Sequence, residues 1–382
     1  MSEIKVNSIK GVGSTDAAIT INNSDGTCTA NITNNLSNRN LIINGDFSQD
    51  QRNNGSEVNP AVNGGYTLDR WVNVINTAGK FKVQQVSDSP DGFYKSYKVT
   101  SLSALTVGTG EFQEVSHYIE GLNMNHLNFG SSAAKTITLS FFVKASITGT
   151  FPVAFRNNAY NRTNVNTYTI SSADTWEKKT ITITGDTSGT WLQTSGIGMR
   201  ITFAVAGGSD FDVSSLSTWI GSNDFTHSSC TDLLATNGAT LQLAGVQLEV
   251  GSVATDFEFK SFGQELALCQ RYYYRHASGA AGRNIGIAAI YQANDVFPVI
   301  HFPCTMRTTP SLDVSNSSNY FRVYSNGSSD PFDTFGQLWN TGDNAVGLNA
   351  NSSNGITGRS AGHAAMIITD QADAHVSFSA EL

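Results

Sequence analysis

The fold is decided by Asn40-Leu-Ile-Ile-Asn-Gly-Asp-Phe-Ser-Gln-Asp-Gln-Arg52 and by Leu241-Gln-Leu-Ala-Gly-Val-Gln-Leu-Glu-Val-Gly-Ser252, two segments far apart in the chain. In the first, the apolar run Leu41–Ile43 is closed by Asn44-Gly45, a pair typical of tight turns. In the second, leucine alternates with glutamine, as in a strand with one buried face. We expect these segments to be the opening and closing strands of one β-sandwich.

The second segment changes its alternation halfway. Leu241 and Leu243 occupy odd positions, whereas Val246 and Leu248 occupy even positions. A strand keeps its apolar side chains on one face across such a change only if an extra residue is inserted. The sequence therefore predicts a β-bulge at Ala244-Gly245, and a glycine inside a strand is typical of a bulge.

Residues 41–263 carry the clearest strand patterns. Apolar side chains occupy every second position in three stretches, Ile137–Val143, Ile181–Ile183 and Ile201–Val205. Period-two alternation with one polar face indicates antiparallel sheets that are buried on one side and solvated on the other. The predicted fold class is all-β, with a two-sheet antiparallel jelly roll over residues 41–263. The side chains assigned to a polar face are Thr136, Thr138, Ser140 and Lys144.

Two further units flank this domain. Residues 1–40 contain short alternating stretches with too little apolar surface to close a core alone. We expect them to form an attachment segment that intertwines with sister chains, and a frayed terminus is the alternative. Residues 264–382 contain strand-like stretches such as Ile285–Tyr291 and Ala364–Thr369, so a second, C-terminal β-sandwich domain is predicted.

Charge and composition argue against several kinds of partner. Only 14% of the 382 residues are charged, and the net charge is −8. No basic block is present, so we expect no nucleic-acid partner. The first residues carry no apolar signal-peptide core, and no apolar run is long enough to span a membrane. We therefore expect a chain that is made in a cytoplasm and is not inserted into a membrane.

The sequence contains no recognisable catalytic motif. Nucleophile elbows, His-Glu-x-x-His, P-loops and dinucleotide fingerprints are absent, and the four cysteines show no Cys-x-x-Cys spacing. Asp46, Asp50, Glu249 and Asp256 would be the carboxylates available for glycoside hydrolysis. Acidic residues near strand ends are also common solubilising positions. We predict no enzyme activity and no cofactor.

Four segments, taken in order, resemble those of a known family. Besides the two quoted first, they are Tyr66-Thr-Leu-Asp-Arg-Trp71 and Cys269-Gln-Arg-Tyr-Tyr-Tyr274. Together they resemble the carbohydrate-binding-module-like domain of tail fibres and other adhesin-like virion proteins of bacteriophages. The resemblance covers roughly residues 40–310 and is more specific than any one of its motifs.

The resemblance implies a jelly-roll virion protein that is made in the host cytoplasm and binds host surface polysaccharide during adsorption. It also implies a homotrimer, attached to other tail or head proteins through residues 1–40. A head fibre, decoration or tail adaptor with a purely structural role remains the alternative. Trp71 matches a core segment of the family and is expected to be buried.

Many carbohydrate-binding modules of similar fold hold a structural calcium ion between the opening and closing strands. Asp46 follows Asn44-Gly45, as that pattern requires. Ala244-Gly245 stands where the family's second pair of acids would lie. Calcium needs several oxygen ligands, so no metal site is predicted.

Aromatic side chains in loops are the candidates for binding sugar. A flat ring matches the C–H face of a pyranose, while neighbouring polar groups bond its hydroxyls. Loop anchoring is the alternative role for each of these rings, and the nearby arginines could equally sit in solvent. The predicted glycan-binding residues are Tyr160, Arg156, Arg162, Trp191, Trp219 and Trp339.

Overall fold

The alternating segments form strands throughout a computed structural model, which describes residues 38–382 together with residues 6–9, 19–21, 24 and 28–30. The predicted all-β class is confirmed, and the strand pairs in every sheet are antiparallel. Within the described residues there is one α-helix, α1 (Phe262–Gln270). Ser261 caps it and forms a capping box with Gln264.

A small sheet near the N-terminus has the strand order β1-β2-β3. Its strands are β1 (Ser8–Ile9), β2 (Ile19–Ile21) and β3 (Cys28–Ala30). Val6 is 41% exposed and Ile9 is 52% exposed, so this sheet leaves apolar side chains in solvent. The other residues of 1–37 lie outside the described residues, and the attachment role stays a prediction.

Two sheets face each other in the jelly roll. The six-stranded sheet has the order β11-β10-β13-β8-β5-β4, and the five-stranded sheet has the order β12-β9-β14-β7-β6. The strands are β4 (Gly65–Leu68), β5 (Trp71–Ile75), β6 (Phe81–Val86), β7 (Ser96–Ser101), β8 (Phe112–Glu120), β9 (Ile137–Ala145), β10 (Gly149–Arg156), β11 (Thr163–Ile170), β12 (Glu177–Ile183), β13 (Ile197–Gly207) and β14 (Thr240–Val250).

The core between these sheets is centred on Trp71, which is fully buried. Its ring lies 4.8 Å from the ring of Phe47 and 6.2 Å from that of Tyr97, measured between centroids. The edge of His117 approaches it at 5.3 Å, and its indole N–H donates to the carbonyl oxygen of Asn44 at 3.1 Å. The expectation that Trp71 is a core residue is confirmed.

The opening segment runs beside β14 but is not a strand, which corrects one expectation. Only two backbone hydrogen bonds join it to β14, from the Leu41 amide to the Leu248 carbonyl and from the Val246 amide to the Gly45 carbonyl. The side chain of Asn40 takes the place of a ladder, because its oxygen accepts from the Leu248 amide and its nitrogen donates to the Val246 carbonyl. The side chain of Asn40 and two backbone bonds therefore join the segment to β14.

The predicted β-bulge in β14 is confirmed. Pairing with β9 shifts register between Ala244 and Gln247, and Gly245 has a positive φ of 56°. A side chain there would also collide with the ring of Phe93, 2.4 Å from an added Cβ. Glycine is therefore required both by the backbone conformation and by the packing.

Both sheets are covered over part of their outer faces, although the alternation predicted solvent there, and on β12 the outward residues Lys178, Thr180 and Thr182 are exposed as predicted. Thr138 and Ser140 are buried, and the hydroxyl of Thr138 donates to the carbonyl of Gly251 in the segment that follows β14. On the six-stranded sheet, residues 208–232 bring Val213 and Phe225 against Ala204. Period two reports which side chains share a face, but it does not show whether a loop later covers that face.

The C-terminal domain packs a three-stranded sheet, β15-β24-β18, near a seven-stranded sheet, β20-β19-β23-β16-β17-β22-β21. Their buried side chains form one cluster that includes Phe378 and Phe321. The strands are β15 (Tyr273–Ala277), β16 (Asn284–Gln292), β17 (Asp295–His301), β18 (Ser311–Val314), β19 (Phe321–Ser325), β20 (Ser328–Phe332), β21 (Gln337–Trp339), β22 (Ala345–Asn349), β23 (Ala364–Thr369) and β24 (Val376–Ser379). Helix α1 spans the expected domain boundary between residues 263 and 264.

His117 makes the stability of the jelly roll depend on pH. Burial, together with the nearby charge of Arg70, holds the pKa of His117 well below its usual value. The unfolded chain therefore binds a proton near pH 6.5 that the folded chain does not bind. We expect the free energy of unfolding to fall as the pH drops below about 6.5, by up to about 1.4 kcal/mol per pH unit for this group.

Urea unfolding at pH 7.5 and at pH 5 checks this expectation. The variant His117→Gln should lose less stability between the two pH values than the unmodified chain does. Equal losses in both proteins would contradict the assignment of this slope to His117.

Candidate functional site

The structure gathers five of the six predicted glycan-binding residues at one end of the jelly roll. We call this region the loop surface, defined by residues 157–162, 184–191 and 216–223. Its three loops are joined by hydrogen bonds from the Asn157 amide group to the Thr190 carbonyl at 3.1 Å and from the Trp219 indole to the Thr184 carbonyl at 2.7 Å. The five residues are Arg156, which precedes the first loop, and Tyr160, Arg162, Trp191 and Trp219.

The half-buried ring of Tyr160 lies over two guanidinium groups. Its centroid is 4.1 Å from the guanidinium carbon of Arg200 and 5.3 Å from that of Arg156. Tyr160 has a positive φ of 54°, a conformation that bulky residues rarely adopt. The side chain of Asn157 holds this turn by accepting from the amides of Asn161 and Arg162. The loop therefore fixes the ring in place.

Arg156 is buried beneath Tyr160 and bonds side chains of the six-stranded sheet. It is paired with Glu114 and donates to the Thr202 hydroxyl at 2.8 Å. With only 2% of its surface exposed, Arg156 supports the ring of Tyr160 and does not itself reach a ligand. This corrects its predicted role as a direct contact to sugar.

Arg162 and Asp186 form a two-fold hydrogen-bonded pair at the centre of the loop surface. The Nε and Nη2 atoms of Arg162 each donate to a different oxygen of Asp186, both at 2.7 Å. These bonds raise the pKa of the Arg162 guanidinium. Because Arg162 lies in the first loop and Asp186 in the second, this pairing mainly joins these two loops.

Trp191 is a packing residue, which corrects its prediction as a sugar platform. It is 6% exposed and meets the ring of Phe129 at 5.0 Å and that of Trp219 at 5.3 Å, both edge to face. Trp219 is only partly buried and packs against this pair. Of the three predicted loop aromatics, Tyr160 and Trp219 keep surface available to a ligand.

Trp339 lies away from the loop surface, on β21 of the seven-stranded sheet. It is 46% exposed, and its ring meets that of Phe297 at 5.3 Å. Its role in binding sugar stays a prediction, separate from that of the loop residues.

Sequence reasoning did not identify Arg200. Its Nη1 donates to the carbonyls of Asn157 and Asn158 at 3.0 and 2.9 Å, so it supports both the loop and the ring of Tyr160. One feature of the sequence could have indicated it: Arg200 is a single arginine on the polar face of the strand in which Ile201, Phe203 and Val205 form the apolar face. A cation there is unusual because the neighbouring outward residues are small or uncharged.

Three of the four family-like motifs meet at a second place, which we call the joint and define by Arg52, Asp69, Arg70, Glu120, Tyr272, Tyr273 and Glu381. Arg70 is fully buried, pairs with Glu381 and has its guanidinium carbon 3.6 Å from the centroid of the Tyr272 ring. Arg52 bonds both Asp69 at 3.0 Å and Glu381 at 3.1 Å. The motifs thus connect the jelly roll to the C-terminal domain rather than forming the loop surface.

Burial dominates the electrostatics of the joint. It raises the pKa of Asp69 to about 6, although Arg52 and Gln51 act in the opposite direction. Burial also raises the pKa of Tyr272, whose hydroxyl donates to Glu120 at 2.6 Å. Burial alone would lower the pKa of Arg70, but Glu381 and neighbouring tyrosines raise it overall. Arg70 therefore stays charged and depends on Glu381 for compensation.

Three of the four carboxylates considered for hydrolysis have local structural partners. Asp50 accepts from the amides of Asn53 and Gly55 at 3.0 and 2.7 Å, and Asp46 accepts from the Ser48 amide. Glu249 is fully buried and bonded to Thr255.

Among the described residues, no group of three or more His, Cys, Asp or Glu side chains is placed to hold a metal ion. No helix in the described part of the chain has the length and apolarity needed to cross a membrane.

No protein-family model matches this chain, and no curated protein matches its sequence. Some solved structures are similar. The enzymatically active domain of tailspike protein 4 of bacteriophage CBA120 is 12% identical with a TM-score of 0.30, over 51% of this chain and 22% of that chain. A family 11 carbohydrate-binding module from a Clostridium thermocellum cellulase is 11% identical with a TM-score of 0.26, over 52% of this chain and 98% of that chain.

A tandem of family 22 modules from Paenibacillus barcinonensis is also similar. It is 11% identical with a TM-score of 0.26, over 86% of this chain and 98% of that chain. All three likenesses are too weak to carry an argument about function.

Proposed function

We propose that this chain is a phage tail-fibre protein that binds host surface glycan through the loop surface of its jelly roll. The proposal rests on the ordered family-like motifs and on the geometry of the loops. It includes the trimeric state, attachment to the virion through residues 1–40 and the lack of enzyme activity, all of which are to be tested.

The observation that carries the glycan site is the ring of Tyr160 held over Arg156 and Arg200. Both guanidiniums are themselves fixed by the sheet, so the ring loses little further freedom when a ligand binds.

Polar groups suited to sugar hydroxyls surround this ring. Asn161 and Asn223 are exposed, and the backbone carbonyl of Asn157 already accepts from Arg200. Amide side chains both donate and accept, which matches the dual character of a hydroxyl group. Trp219 provides a second, half-buried ring on the same surface.

Removal of the Tyr160 ring is expected to weaken binding to host surface polysaccharide by about tenfold, the equivalent of one lost aromatic contact. Tyr160→Asn suits the test, since asparagine tolerates the positive φ at this position. Tyr160→Phe retains the ring and should bind normally. Tyr94, which is 77% exposed elsewhere on the jelly roll, supplies the matched control Tyr94→Asn.

Purified host polysaccharide and whole host cells are the probes, and binding is followed by fluorescence of the labelled protein. Equal binding by Tyr160→Asn and Tyr94→Asn would rule out the loop surface as the site. Labelling of the chain on the head, seen by cryo-electron tomography of the virion, would favour the head-fibre alternative over a tail fibre. Release of reducing ends from the polysaccharide would contradict the non-enzymatic role.

A further inference from the structure

The outer face of the seven-stranded sheet exposes an unusual amount of apolar surface. Its central strands alternate between buried and exposed side chains, so one face packs on the domain core and the other faces outward. Six large apolar residues on the outward face are between 39% and 71% exposed. We call this surface the apolar face, and its six residues are Ile287, Tyr291, Val299, Tyr324, Trp339 and Met366.

Strand register lines most of these side chains up in one row. Met366 pairs with Tyr324 on one side and with Ile287 on the other, while Gly347 pairs with both Val299 and Trp339. Strands lie about 4.8 Å apart, so the row crosses six strands and is roughly 24 Å long. Such a row is a continuous stripe, unlike the scattered apolar residues that are normal on protein surfaces.

Charged side chains are confined to the margin of the apolar face. On β23 and β16 the outward residues beside the row are Ala364 and Ala289, which pair with each other. Arg322, on the outward side of β19, is already bonded to Asp370 at 3.0 and 2.8 Å. A partner for the centre of this face must therefore be apolar as well, because a charged partner would find no counter-charge there.

We infer that the apolar face is a contact between copies of this chain in solution, which rests on the proposed trimeric state and assigns a surface to it. The six side chains leave on the order of 600 Å² uncovered, which is close to the roughly 800 Å² that each partner contributes to a standard interface. Contacts between permanent copies are also the more apolar class of interface. The size and the character of the face both fit a second copy.

The N-terminal sheet points to the same partner independently. Its strands have two or three residues each, too few to bury much apolar surface. Val6 and Ile9 are exposed there as well. Self-association would cover exposed apolar side chains in both parts of the chain in a single event.

Mass measurement of the full chain at micromolar concentration is the first test, and we expect more than one copy per particle. Ile287→Asp places a charge in the middle of the row and should weaken self-association by about 100-fold. Val62, 68% exposed outside the apolar face, supplies the control Val62→Asp, which should associate normally. Val299→Asp is a second variant in case Ile287→Asp does not fold.

Methionine oxidation reports on the same face without any substitution. Met366 is 40% exposed, whereas Met124, Met199 and Met306 are at most 3% exposed. Among methionines in the described part of the chain, dilute peroxide should therefore reach Met366 first. We expect Met366 to be protected in the native assembly and to oxidise readily in Ile287→Asp, as followed by peptide mass mapping.

Three results would overturn the inference. One is a monomeric native chain at micromolar concentration. Another is an assembly in which Met366 oxidises as fast as in Ile287→Asp, since the contact would then lie elsewhere, for example in the N-terminal segment. The third is loss of polysaccharide binding in Trp339→Ala with the copy number unchanged, which would make this face a sugar platform.

Discussion

Trp71→Ala is expected to lower the free energy of unfolding of the jelly roll by about 3–5 kcal/mol, as large aromatic deletions in cores do. Trp71 is fully buried and contacts the rings of Phe47, Tyr97, His117 and Phe203. Its removal leaves a cavity bordered by four rings, of which those of Tyr97, His117 and Phe203 lie on strands. The Asn44 carbonyl would also lose the indole as a donor.

Denaturant unfolding monitored by circular dichroism measures this loss. Trp71→Phe is the matched control, because it keeps much of the packing and should cost less than the alanine variant. An unchanged melting temperature together with lost polysaccharide binding would show instead that Trp71 is a ligand platform.

Glu381→Ala is the second large effect, and we expect it to lower the free energy of unfolding by about 3–5 kcal/mol. Glu381 accepts from Arg70 and from Arg52, and Arg70 is fully buried. Deleting the carboxylate leaves a buried guanidinium without its counter-charge. The cost is therefore mainly that of an unpaired charge and not the loss of one contact.

A surface pair in the same chain provides the comparison. Glu57 bonds Lys82 at 2.7 Å, but its side chain is 51% exposed. Glu57→Ala should change stability by less than about 1 kcal/mol. If Glu381→Ala and Glu57→Ala lower the free energy of unfolding by the same amount, the joint is more hydrated than the structure indicates. In the double variant Arg70→Met, Glu381→Ala, part of the loss should be recovered, because no buried charge is left unpaired.

The joint gives the family-like motifs a physical role. Arg52, Asp69, Arg70 and Tyr272 come from three separate motifs and meet at the chain terminus around Glu381. Arg52, Asp69 and Arg70 each pair with a charged residue outside their own segment. In the structure they join the jelly roll to the C-terminal part of the chain.

Sequence reasoning was sufficient wherever a local pattern carries the information. The alternation at Ile137–Val143 placed those residues in the core, and the change of parity in Leu241–Leu248 located the bulge at Ala244-Gly245. Both follow from the two-residue repeat of a strand, which needs no knowledge of the rest of the chain. The same local logic identified Tyr160 and Trp219 as loop aromatics.

Tertiary structure decided everything that depends on residues far apart in sequence. It buried Trp191 against Phe129, placed Arg200 beneath Tyr160 and covered the sheet faces that alternation had assigned to solvent. It also turned Leu41–Ile43 from a strand into a segment tethered by Asn40. The face of a strand on which a side chain lies follows from its position in the local sequence. Its burial and its strand pairing depend on the distant segment that packs against it.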